Sequence, residues 1–499
     1  MSVDILDVKT KNDVKKITRN SLIYIFSDLL TRIISFLLIP IYTAKLAPFE
    51  YGILGTMTSL ISILGVLGTL GFPGIVALIY HHAQSKDDRE QELWTIFLLN
   101  VIVSVIFASV ALIFGKGLFE HFFRNIPFYP YGLLAITIAC SSGWIQIPIM
   151  SFRAAEKPLP FAIISLIGFV LTTSIILSLV LCFNLGVRGV FWGTFLGNGI
   201  LALFSPIIMK SYGRIRFKPI LITKFTVLSL PLIPHSLFTW VYGLSDKFIL
   251  QRFVPLKEVG LYTLAYQFGI GLSILGGAIN NAWAPFVLKA QKEDKPEERF
   301  AILSKYLAII FMAMTLGTLF LGTDVIKYIL DNRYEPAVRL IPWIVLGYGL
   351  VLLYFIPMNF VYSTGKTHFM FLVSGSAAVV NLIGNLLIIP TMGSYGAALM
   401  TFITFCISLA ASTILMILLC PQNLPWLKFA KILAFAIICA IIGIKISMHN
   451  LYLDIALHFA IILSYPFVLC MAGVITKTEI TDTISLFYRR LLRLIHFHT

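Results

Sequence analysis

The chain has 499 residues, of which 58% are hydrophobic and only 12% charged, with a formal net charge of +15. Soluble domains carry about 25% charged residues, so a chain this apolar could not cover its own surface, and a soluble globular protein is excluded. The basic excess does not indicate a nucleic-acid partner either, because Lys and Arg are spread over many short segments and never form one patch.

A hydrocarbon core about 30 Å thick takes about 20 apolar residues per helix. In chain order, runs of that length predict spans at 21–44, 53–79, 93–115, 131–152, 160–183, 188–209, 225–250, 259–285, 305–323, 338–362, 368–389, 395–419, 427–447 and 452–474. The runs are continuous and lack the alternation of a membrane barrel. The expected fold class is an all-α polytopic membrane protein with fourteen transmembrane helices. The first twenty residues are polar and charged, and the run after them is too long for a signal peptide, so the N-terminus is placed in the cytosol. Counting loops from there puts most of the 38 Lys and Arg on the cytosolic side, with both termini inside. The final stretch, "TISLFYRRLLRLIHFHT", sets Ile484, Phe487, Leu491 and Leu494 against Arg489, Arg490 and Arg493. It reads as an interfacial amphipathic helix on anionic lipid, or as a plain basic tail.

Three pairs of segments match at nearly one offset. "PFEYG" resembles "PLKEVG", with Gly52 and Gly260 separated by 208 positions. "RAAEKP" resembles "YSTGKT", with Lys157 and Lys366 separated by 209, and "GVRGVFWGT" resembles "GSYGAALMT", with Gly189 and Gly396 separated by 207. Spans 1–6 and 7–12 are therefore read as two six-helix lobes. Six is even, so both insert the same way round, related by a pseudo-two-fold axis along the membrane normal. The expected divisions are 1–215 for the N-terminal lobe, 216–422 for the C-terminal lobe, 423–475 for two appended C-terminal helices, and 476–499 for the cytosolic tail.

Small and polar residues at the ends of these spans have local readings. Gly52, Gly260, Gly393 and Gly396 sit at turns entering spans, where positive φ or close packing is needed. Pro390 is expected to stop span 11. Asn381 and Asn385 are one helical turn apart and can hydrogen-bond across helices. The six cysteines lie in or beside apolar runs without regular spacing, and the nine histidines are scattered, so neither a disulfide framework nor a metal site is expected.

"KLAPFEYG", "LSDKFILQRFVPLKEVGLYTLAYQF" and "NLIGNLLIIPTMGSYGAA", together with the length, the fourteen spans and the repeat, resemble the Wzx-type polysaccharide and O-antigen flippases. These belong to the polysaccharide transporter family of the multidrug/oligosaccharidyl-lipid/polysaccharide exporter superfamily. The resemblance covers nearly the whole chain. It implies transport of an undecaprenyl-diphosphate-linked oligosaccharide from the inner to the outer face of the bacterial inner membrane, by alternating access through a central cavity, for O-antigen, capsule or exopolysaccharide. The implied partners are the lipid-linked oligosaccharide, membrane lipids and other polysaccharide-assembly proteins. A lipid-linked peptidoglycan precursor flippase would need the same cationic cavity and is the next reading, followed by cation-coupled drug efflux and a membrane glycan-processing enzyme.

An enzyme of lipid-linked sugars usually needs a sizeable extramembrane loop carrying acids and bases. Here the longest outer loops run only about 115–131 and 323–339, and their Glu120, His121, Arg124, Asp324, Asp331, Arg333 and Glu335 suit a solvated rim. Gly365-Lys366-Thr367 fails the phosphate-loop pattern, because position 360 is Phe. A transporter without its own ATP motor and without a cofactor is expected, leaving a proton or sodium ion open as the coupling ion.

Two charges stand inside the first span. Asp28 and Arg32 share one helix face at i and i+4 and are expected to pair. An Arg at a span centre costs on the order of 2.5–3.5 kcal/mol on insertion scales, so that face should look into protein or a wet cavity. There a guanidinium forks onto phosphate oxygens, so Arg32 is read as meeting the carrier diphosphate or, alternatively, as locking span 1. At the repeat offset, span 7 carries His235 and Trp240 at a matching depth, with Pro231 and Pro234 expected to kink it. Tyr24 and Trp240 are candidates for stacking on sugar, and Asp28 and His235 for carrying a coupling proton. Asp246 and Lys247, nearer the outer end of span 7, are read as a gate or lobe contact.

Overall fold

The computed structural model describes residues 20, 22–123, 125–290, 296–366, 369–446, 448 and 450–475. Among them the secondary structure is helical, with no strand. A lipid solvent demands this, because long apolar segments must satisfy their own N–H and C=O groups. Among the described residues, thirteen helices are long and apolar enough to cross a membrane. One of them, Met370–Leu419, is two spans joined at Gly393, whose φ of 58° and ψ of −138° leave the helical region. That gives the fourteen crossings expected from the sequence.

Helix α1 is Leu22–Lys45. Span 2 is divided into α2 (Pro48–Thr69) and α3 (Phe72–His82). Helices α4 (Lys86–Phe122), α5 (Leu133–Ala154), α6 (Pro158–Leu177) and α7 (Gly186–Met209) supply spans 3 to 6. Span 7 is divided into α8 (Leu221–Ser229) and α9 (Leu232–Phe253). Helices α10 (Leu256–Ala290), α11 (Pro296–Tyr328), α12 (Ile341–Ser363) and α13 (Met370–Leu419) carry spans 8 to 12. Helices α14 (Trp426–Lys445) and α15 (Leu451–Met471) are spans 13 and 14. The basic tail at 476–499 lies outside the described residues.

The chain divides into two compact units. The first comprises Met1–Gln267 with Ser374–Thr404, the second Phe268–Val373 with Phe405–Thr499. In the first, Phe72, Trp94, Phe97, Ile147, Phe161 and Phe225 form a buried core. The linker before α8 is drawn onto α4: Trp94 Nε1 donates to the Gly213 carbonyl at 3.1 Å, and Lys218 N to Thr95 Oγ1 at 3.1 Å. Span 2 breaks at Leu70 and Gly71, both at positive φ. Span 7 is interrupted at Leu230 and Pro231, both of which keep right-handed helical φ and ψ, and Gly71 lies against the Ser229 carbonyl there.

Span 11 departs from the sequence reading. Pro390 does not stop it; the helix runs through that proline and turns three residues later at Gly393. Proline removes one N–H from the helix, whereas the turn itself needs a backbone conformation that is essentially confined to glycine.

The second unit packs through small residues that let helices approach closely. Gly349 faces Thr315, Gly276 faces the Leu352 side chain, and Gly443 faces the Phe320 ring. Asn359 Nδ2 donates to Asn280 Oδ1 at 2.7 Å, joining α12 to α10.

Candidate functional site

The charged face of α1 is built differently from its local spacing. Asp28 does not pair with Arg32: its Oδ2 is 3.1 Å from the Arg153 guanidinium, at the C-terminal end of α5. Arg153 is held in place by aromatic rings, its Cζ lying 4.9 Å from the Phe161 centroid and 5.8 Å from that of Tyr24. Tyr24 and Phe161 themselves meet edge to face at 4.9 Å. An arginine fixed on aromatic faces presents its fork at little entropic cost, which favours Arg153 over Arg32 as the partner of Asp28. The Arg153 and Asp28 side chains are 46% and 48% exposed, so the pair is worth at most about 1 kcal/mol. Arg32 is exposed in mid-helix and has no carboxylate within ion-pair distance among the described residues. The structure thus brings Tyr24, Asp28 and Arg153 together and leaves the Arg32 guanidinium available.

In span 7, His235 is exposed near the start of α9. Trp240 is engaged: its Nε1 donates to the Ser59 carbonyl of α2 at 2.9 Å, and its ring meets Phe248 at 5.3 Å. Asp246 and Lys247 are buried. Asp246 accepts from the Tyr262 hydroxyl and from the Lys247 N–H at 2.7 Å. Tyr262 also meets Thr401 Oγ1 at 3.1 Å. Lys247 Nζ lies 4.6 Å from the Tyr266 ring centroid, and Tyr266 OH donates to the Gly243 carbonyl at 2.6 Å. These partners come from spans 7, 8 and 12, all within the second repeat. Asn385 donates to Asn381 Oδ1 at 3.0 Å and Asn381 to Thr404 Oγ1 at 3.1 Å, a ladder between spans 11 and 12.

The repeated motifs do matching work that the sequence reading missed. Glu50, in the first turn of α2, accepts from the Ala47 N–H at 2.9 Å and from the Val187 N–H at 3.1 Å, at the start of span 6. Its counterpart Glu258, in the first turn of α10, accepts from the Ser394 hydroxyl at 3.1 Å, at the start of span 12. Each carboxylate thus sits at a helix N-terminus, where unpaired N–H groups and the macrodipole favour negative charge. Gly186 and Gly393, both at positive φ, make the turns that bring those N-termini to the glutamates. Gly52 and Gly260 then pack backbone to backbone, and Gly396 packs under Ile388 and Met392. The shared offset of the motifs was the available signal; the contact between them was not visible along the chain.

One rim residue is misplaced by the sequence reading. Asp324 is buried in the second unit, with Oδ2 2.8 Å from His458 Nδ1. It falls just past the apolar run of span 9, but the helix continues to Tyr328 and carries it inward against α15. In the neighbouring loop, Asp331 is paired with Arg333 at 2.8 Å, and those hydrogen bonds hold its carboxyl below the usual carboxylate range.

Residues 17–291 match the model of the family described as polysaccharide biosynthesis protein. A protein of the Lsg locus of Haemophilus influenzae is 20% identical over 363 residues, covering 70% of this chain and 86% of that protein. Among solved structures, the lipid II flippase MurJ in its inward closed conformation superposes with a TM-score of 0.70 at 13% identity, covering 91% of this chain and 100% of that one. An inward-facing multidrug resistance MATE family transporter of the MOP superfamily gives 0.54 at 13% identity, covering 81% and 98%. At these identities the likeness to the solved structures is one of fold.

Proposed function

The chain belongs to the polysaccharide biosynthesis protein family, and from that membership we propose that it is a flippase for undecaprenyl-diphosphate-linked oligosaccharide. It carries the lipid from the cytosolic to the outer leaflet of the bacterial inner membrane by alternating access, for surface polysaccharide synthesis. Both termini are cytosolic. The observation that carries the reading is Arg32: a guanidinium in the middle of a membrane-spanning helix, exposed, with the nearby acid taken by Arg153. Such a charge is costly unless something anionic meets it, and a diphosphate offers oxygens that match its fork. The sugar-bearing headgroup travels with that diphosphate, and no bond of it is made or broken. No ATP-binding motif accompanies the site, so net movement draws on a proton or sodium gradient, or runs down the lipid's own gradient.

The test is reconstitution of the purified protein into vesicles with a lipid-linked oligosaccharide in one leaflet. The expected result is a change of sidedness with the compound chemically intact and no dependence on ATP. A covalently altered product, or no movement where an unrelated lipid does move, would overturn the reading. A parallel arm with a peptide-bearing lipid-linked disaccharide separates the glycan reading from the peptidoglycan one.

A further inference from the structure

The two appended helices are fastened to span 9 by a crossed pair of polar contacts. On α11, Asp324 and Tyr328 are one turn apart; on α15, Asp454 and His458 are one turn apart. Asp324 Oδ2 meets His458 Nδ1 at 2.8 Å, and Tyr328 OH donates to Asp454 Oδ2 at 2.7 Å. The other Asp454 oxygen accepts from the Met448 N–H at 2.6 Å. The His458 ring lies flat on Phe320, with centroids 4.4 Å apart and planes at 2°. Gly443 of α14 makes room for Phe320 and turns its carbonyl to His458 Nε2 at 3.3 Å.

Both ring nitrogens of His458 therefore face acceptors: a carboxylate on one side, a peptide carbonyl on the other. A neutral imidazole has one N–H and can satisfy only one of them; the doubly protonated ring satisfies both. His458 and Asp324 are 4% and 6% exposed, so an acceptor left without its donor there is costly. The second Asp324 oxygen has no partner among the described residues, so the contact with His458 is the hydrogen bond this buried carboxylate depends on. Among the described residues, the charged or titratable groups around the ring are Asp324 and Tyr328 from α11, and Asp454 on its own helix. Lys327 and Lys445 stand in the last turns of α11 and α14.

We propose that Asp324 and His458 form a proton-binding site, outside spans 1 and 7, whose bound proton latches spans 13 and 14 onto span 9. The latch is closed while the ring carries its second proton and opens as rising pH removes it. Under the transport reading this is a site for the coupling proton, and only the transport arm of the test rests on that reading.

The experiment uses the full chain in lipid nanodiscs, with 15N-labelled histidine, across pH 5 to 9. The His458 resonances are identified by their loss in His458→Gln. The expected result is a doubly protonated ring at low pH that loses a proton within this range. Protection of the amides near Gly443 and Asp454, measured as exchange relative to the intrinsic rate at each pH, should fall about tenfold or more over the same interval. In His458→Gln, whose amide still donates to Asp324, that protection should no longer depend on pH. Asp324→Asn, which keeps an acceptor but removes the charge, should shift the ring's titration to lower pH; it serves as the second variant if His458→Gln does not fold. A ring singly protonated throughout, or titration with no change in protection, would overturn the site. If the site titrates but the transport rate in vesicles is indifferent to it, the latch stands and its coupling role falls.

Discussion

Gly52 and Gly260 occupy equivalent places in the two copies of the repeat, and each excludes a side chain from the other. A Cβ on Gly52 would strike the Leu256 carbonyl oxygen, and one on Gly260 would strike the Pro48 carbonyl oxygen. Neither has positive φ, so what the position requires is absence of volume. The contact is self-complementary in the manner of a two-fold dimer interface, although both halves belong to one chain.

Gly52→Ala and Gly260→Ala should therefore each destabilise the protein by about 1–3 kcal/mol, the usual cost of overpacking. Gly65→Ala in the same helix, where nothing lies within 4 Å, should be neutral or stabilising by up to about 1 kcal/mol. Thermal unfolding in detergent with all three variants checks this. Equal behaviour of the three would show that the backbones are not truly in contact.

Glu50 serves two backbone N–H groups, and Glu258 serves one hydroxyl. Glu50→Ala should cost about 1–2 kcal/mol and Glu258→Ala less. Glu50→Gln, which keeps one acceptor, should fall between Glu50→Ala and the parent. The same melting experiment reads the order, and a larger loss for Glu258→Ala would contradict the pairing described.

Arg32 and Arg153 should separate by function. Arg32→Ala should lower flipping about tenfold or more, the worth of one charge-assisted hydrogen bond, with expression unchanged. Arg32→Lys should retain part of the activity, and Arg32→Glu none. The double variant Asp28→Asn with Arg153→Gln removes an exposed pair and should stay within about 1 kcal/mol of the parent in stability, with transport retained. Normal flipping by Arg32→Glu would end the diphosphate role of this residue.

Asp246→Asn weakens the buried acceptor of the Tyr262 hydroxyl and the Lys247 N–H and should cost about 1–3 kcal/mol. Combining it with Lys247→Met, which removes the neighbouring buried ammonium, should recover part of that loss. Tyr262→Phe should cost about 1–3 kcal/mol, since it leaves a buried carboxyl oxygen of Asp246 without its donor. Expression level and melting temperature report all three; a double variant no better than Asp246→Asn would place the cost elsewhere.

The spans were legible because lipid imposes a simple rule on composition, and the apolar runs obey it almost without exception. The repeat was legible because two glycines and a lysine return at nearly one offset, 207 to 209 positions. What the sequence could not show is which distant residue completes a local group. Asp28 has an arginine four residues away, yet its partner lies 125 positions along the chain. Asp324 reads as a loop residue until His458, 134 positions later, is seen beside it. A histidine and an aspartate within the apolar run of span 14 did carry a signal, since ionisable groups inside a membrane need partners. Pro390 misled for the opposite reason: a strong local signal was overridden by a glycine able to adopt a rarer backbone geometry.

Gly393 has a consequence for what the chain can tolerate in length. Spans 11 and 12 are joined through one non-helical residue, with no loop to absorb an insertion. On either side of that joint, Asn381 and Thr404 must meet at a fixed rotational phase. Adding a single residue to the helical stretch between Asn381 and the joint would turn that segment by about 100° and swing Asn381 away from Thr404. Most connections in a membrane protein drift freely in length between relatives; this one is a keyed shaft, and its residue count should be as constrained as its chemistry.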